Sequence, residues 1–171
     1  QAPTLDLKKL SRDSFFKSKE AILFLHSAQI FQYIVSFALL ILGYLVYFYV
    51  NSFLNVDITY KNITQEVFLL HWFSVIVGVW GGLNHAILKS RHELKYMNMA
   101  IFMMLILSSG LNIIFLYLDY GLLSFGISIL IATIIVNIFI AIKVYKDYKI
   151  NLFIPKEFHS KYVLNGWNYI K

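Results

Sequence analysis

The chain contains no cysteine. Disulfides, zinc–thiolate sites and iron–sulfur ligation are therefore excluded within it. Proline is almost missing too, at Pro3 and Pro155 alone, both outside the long apolar runs. Charge is scarce: Asp, Glu, Lys and Arg make up 14% of the 171 residues, against roughly 25% in a soluble domain. What is present instead is apolar, 59% hydrophobic and 18% aromatic, with a mean hydropathy of +0.67. This balance points to the membrane class. The opening segment QAPTLDLKKLSRDSFFKSKE is charged and lacks an apolar stretch of signal-peptide length, so it does not read as a cleavable signal.

No Asp, Glu, Lys or Arg falls between Glu20 and Asp57, Glu66 and Lys89, Lys95 and Asp119, or Asp119 and Lys143. A helix needs ~20 apolar residues to cross the hydrocarbon core, and each interval supplies them. The expected architecture is all-α, an integral membrane bundle of four transmembrane helices at 28–50, 66–88, 97–118 and 121–142. Residues 1–27 read as an amphipathic extension and 143–171 as a basic, aromatic tail. LDYG, with Asp119 and Gly121, predicts a tight turn between the last two spans. Fourteen of the fifteen Lys and Arg lie before span one, in KSRHELK, or after span four; only Lys61 lies opposite. The positive-inside rule then puts both termini and the 89–96 loop on the cytoplasmic or matrix side. The net charge of +6 is accounted for by these basic flanks, with anionic lipid as a partner and no need of nucleic acid.

Span two carries the stretch HWFSVIVGVWGGLNH. Its residues His71, Ser74, Gly78, Gly82 and His85 follow one another at steps of three or four, so a helix presents them as one stripe. Ser74, Gly78 and Gly82 form a small-xxx-small series, which lets a second helix come close. The plain expectation is a helix-packing seam; the sharper one adds a cofactor beside His71 or His85. Two bis-histidine haems are excluded, because spans three and four contain no histidine. Intramembrane carboxylates and lysines are also missing, which leaves a proton relay or ion-coupled transport little to work with. No HExxH, GxSxG or P-loop pattern occurs, so no catalytic centre and no metal site is expected in the chain itself.

Gly78-Val79-Trp80-Gly81-Gly82-Leu83-Asn84-His85, followed by a basic loop and by Ser108-Ser109-Gly110, resembles the second and third helices of the succinate dehydrogenase cytochrome b membrane-anchor subunit. Gly82 matches the family glycine and His85 its second histidine. The family's haem-ligating histidine falls on Gly78, its arginine on Asn84 and its aspartate on Lys89. Ser27, in LHSAQIFQ, stands where the family has a quinone-site serine. The resemblance implies ubiquinone shared with partner chains, with Ser27, His85 and His71 as candidate cofactor residues. It weighs against haem b, since the ligand position is Gly78.

These readings converge on a non-catalytic membrane subunit of a respiratory complex, an anchor for succinate dehydrogenase in the mitochondrial inner membrane or a bacterial inner membrane. Partner subunits would meet it through span two and both tails. The alternatives are an accessory subunit of another respiratory complex and a small b-haem or quinone electron-transfer protein.

Overall fold

The computed structural model describes residues 19–148. The extension up to residue 18 and the aromatic tail from residue 149 lie outside the described residues. Four α-helices run in sequence: α1 (Lys19–Phe53), α2 (Lys61–Ser90), α3 (Leu94–Tyr117) and α4 (Leu123–Tyr148). All four are long and apolar enough to cross a membrane, and no strand occurs among the described residues. Each helix contains one expected span apart from a residue or two at a turn. The helices overrun the uncharged intervals, because Lys, Glu and Tyr are compatible with a helix once it has nucleated. Thus α1 starts inside the stretch assigned to the extension, and α4 carries Lys143 and Asp147 within its last turns.

Three helices end in the same way. Asn55, His92 and Asp119 take positive φ values of 49°, 56° and 62°. In each case the next residue's N–H reaches back five residues: Val56 to Asn51, Glu93 to Leu88 and Tyr120 to Phe115. This is the left-handed closure that satisfies carbonyls orphaned at a helix C-terminus. Asn, Asp and His are among the side chains that enter this region most readily. Gly121, at φ 54°, completes the turn expected at LDYG.

The helices pack in the order α1, α2, α4, α3, with α2 and α3 touching only lightly. α4 is the central element. Its buried Ser124, Ser128, Ala132, Val136, Ile140 and Val144 recur every fourth residue. Such an i±4 ridge fits into the groove of a neighbouring helix, and small members let the backbones approach. The tightest core lies at the end carrying the 89–93 turn. There Leu25, Ile87, Leu88, Ala100, Val136, Ile140 and Val144 form one cluster drawn from all four helices.

A polar clasp closes the same end. Tyr148 donates its hydroxyl proton to Glu93, and Lys143 Nζ lies 3.6 Å from the other Glu93 oxygen and 2.5 Å from Asp147. Lys143 also sits 3.8 Å over the Tyr96 ring, and the Arg91 guanidinium 5.1 Å from the Tyr148 ring centroid. The start of α3 is thereby fastened to the end of α4. The outward surfaces of α1 and α3 are apolar and exposed: Phe37 is 65% exposed and Ile113 68%.

Candidate functional site

The functional candidates collect along α2, where it meets α1 on one side and α4 on the other. Against α1, the Trp72 indole N–H donates to the Leu39 carbonyl at 2.8 Å. It lies over Gly43, where an added Cβ would fall 1.9 Å from Trp72 Nε1. No other residue fits there without moving the indole. Further along, Trp80 meets Tyr33 edge to face with centroids 6.2 Å apart. Gln29 Nε2 reaches the Trp80 carbonyl at 3.5 Å, and Gln65 Nε2 donates to the Tyr47 carbonyl at 3.2 Å.

Against α4, Asn137 is the clamp. Its Nδ2 donates to the Val77 carbonyl at 3.0 Å, and the His85 ring lies next to the same side chain. Val77, Gly81 and His85 are four residues apart and share the face turned toward it. A Cβ at Gly81 would stand 1.8 Å from Asn137 Oδ1, so the amide occupies the space that glycine leaves. A third glycine does the same in reverse: Gly126 of α4 receives Leu70 of α2, whose Cβ would lie 2.8 Å from an added one.

The close approach expected along Ser74, Gly78 and Gly82 is therefore displaced within this chain. A Cβ at Gly78 meets nothing within 4 Å, and one at Gly82 meets only Gln32 Nε2, at 3.2 Å. Ser74 is buried, but its hydroxyl donates to the His71 carbonyl of its own helix at 2.6 Å. The small stripe borders the contact face with α4 without being its centre. Gly81, one position away from Gly82, is the residue that the packing uses. Sequence spacing could not separate the two, because the deciding neighbour, Asn137, comes from a helix far along the chain.

The two histidines do not converge. Fourteen residues at ~1.5 Å each set them about 21 Å apart along α2. His71 is half-buried, with Nδ1 3.0 Å from the Val67 carbonyl. A carbonyl only accepts, so Nδ1 carries a proton in this contact, and in the neutral ring that leaves the lone pair on Nε2. His85 lies at the end where all four helices meet, next to Asn137. Ser27 is fully buried. The pairing of Gln32 with Gly82 and of Gly43 with Trp72 runs the two helices antiparallel, and it places Ser27 at the level of His85. Of the expected cofactor residues, Ser27 and His85 thus share one end of the bundle, and His71 lies at the other.

Among the described residues no group of three or more His, Cys, Asp or Glu side chains could hold a metal ion. Ser27, two residues before Gln29, lies about 200° round α1 from the face that meets α2, so it shares a level with His85 without facing it. At the opposite end, in the turn between α1 and α2, the Thr59 N–H and hydroxyl both donate to Asp57 Oδ1, at 3.0 and 3.1 Å. These two bonds hold the Asp57 carboxyl below the usual aspartate range. Comparison of the chain with known family models, with curated proteins and with solved structures finds no match.

Proposed function

We propose that the chain is a non-catalytic, membrane-embedded subunit of a respiratory complex, serving as an anchor for a succinate dehydrogenase in the mitochondrial inner membrane. In this reading all four helices span the bilayer, with both termini and the 89–96 loop on the matrix side, as the cation distribution favours. The observation that supports it best is the placement of His85 beside Asn137 at the four-helix end, level with the buried Ser27. That end adjoins the basic loop, where a soluble dehydrogenase would dock and a quinone head group would sit between the two proteins. A quinone carbonyl accepts hydrogen bonds, and the His85 N–H is a suitable donor.

The test separates the anchor role from dehydrogenase chemistry. In membranes carrying His85→Ala, succinate oxidation by a soluble dye should be unchanged, while succinate-driven quinone reduction falls about tenfold, the equivalent of one hydrogen bond. Equal losses in both assays, or none in either, would argue against a quinone role for His85. A second reading, a b-haem subunit whose other ligand comes from a partner chain, rests on the His71 tautomer, which leaves Nε2 available to iron. A Soret band lost in His71→Ala would favour it over the quinone anchor.

A further inference from the structure

Of four buried side-chain polar atoms on α1 without a hydrogen-bond partner, three lie close together, Gln29 Oε1, Gln32 Oε1 and Ser36 Oγ, and the fourth, Asn51 Oδ1, lies near the far end of the helix. At i, i+3 and i+7 the first three lie on one face of the helix. Gln29 and Ser36 are each only 2% exposed, so a lipid chain or an added helix does not reach them. Ser36 also departs from its counterparts. The buried hydroxyls of Ser74, Ser124 and Ser128 donate to a carbonyl three or four residues back. Ser36 forgoes that bond.

The opposite wall is α2. Gln32 meets Gly82, and Gly43 meets Trp72, so in an antiparallel pair Ser36 stands level with Gly78. Gly78 is the position where an added Cβ meets nothing within 4 Å. An unpartnered hydroxyl and an open space thus occur at the same height, with two unpartnered amide oxygens leading to it. Amide oxygens require donors, and a hydroxyl takes either role. No group among the described residues donates to them.

We propose that the α1–α2 seam holds a short file of water molecules, bonded to Gln29 Oε1, Gln32 Oε1 and the Ser36 hydroxyl and passing beside Gly82 and Gly78. The file extends about 10 Å along α1 at ~1.5 Å per residue, from near the basic end toward the middle of the helix. Water is the ligand that fits, being small and able to donate twice to acceptors so spaced. Its consequence is that α1 is joined to α2 partly through solvent, in contrast to the dry α4 ridge. The inference requires only that α1 and α2 pack as described and does not depend on the identity of the parent complex.

Water-edited solid-state NMR of the wild-type chain in phosphatidylcholine vesicles tests it without any substitution. Ser36, the deepest member, should receive polarisation from water on the order of tenfold faster than Ile140 in the buried core, and nearly as fast as the exposed Lys89 in the last turn of α2. A build-up at Ser36 no faster than at Ile140, or one supplied by lipid acyl protons, overturns the proposal.

Discussion

At the residue scale, two glycines four residues or fewer apart on α2 behave oppositely. Gly81 accommodates the Asn137 amide, whereas Gly78 faces open space. Gly81→Ala should therefore displace Asn137 and weaken its bond to the Val77 carbonyl, at a cost of about 1–3 kcal/mol. Gly78→Ala should be neutral or stabilise by up to ~1 kcal/mol, because alanine is the better helix former. Thermal denaturation in mild detergent measures both, and equal midpoints for the two variants would remove the distinction. The stripe of small residues was legible in the sequence, as was its helical spacing. Which member makes the close approach was not, since that depends on a side chain brought from α4 by the tertiary fold. Gly43 and Gly126 were hidden for the same reason, each being answered by a bulky residue of α2.

At the element scale, the helices followed from the gaps in charge, and their ends followed from a backbone rule that acts on local sequence. The left-handed position at Asp119 is tolerated by aspartate and would suit glycine as well. Asp119→Gly should match or exceed the wild-type stability, and Asp119→Val should lose about 1–2 kcal/mol because a β-branched residue is strained there. Parallel unfolding curves in detergent decide it; a valine variant as stable as the wild type would count against the assigned turn. The turn between α1 and α2 carries a pH dependence of known sign. Asp57 is held below its ordinary value of 3.8 by the two Thr59 donors. Its contribution is present above that value and is lost as pH falls through the lower, folded one. An NMR titration should give an Asp57 midpoint under 3.8, rising in Thr59→Ala. The central place of α4 was less visible. Its Ser124, Ser128 and Ala132 repeat is a small-xxx-small series as regular as that of α2, but no histidine drew attention to it.

At the scale of the whole molecule, the order α1, α2, α4, α3 leaves the two outer helices with broad apolar surfaces and concentrates the polar network at one end. Four long apolar helices with an end closed by Glu93, Lys143 and Tyr148 suit an integral membrane protein. The four long apolar helices among the described residues could be read from the sequence because the gaps in charge are a one-dimensional pattern. The packing order could not, because the chain passes from α2 to α3 in sequence but from α2 to α4 in space. The proposed role as an anchor is a claim about company, so it is tested most directly by asking what the chain travels with. Native electrophoresis of membranes solubilised in mild detergent, stained for succinate dehydrogenase activity and probed for this chain, makes that measurement. The account predicts a single band carrying both signals, with the chain in fixed ratio to its partners. A chain that migrates near its own mass of 20.0 kDa plus detergent, apart from the activity, would contradict it.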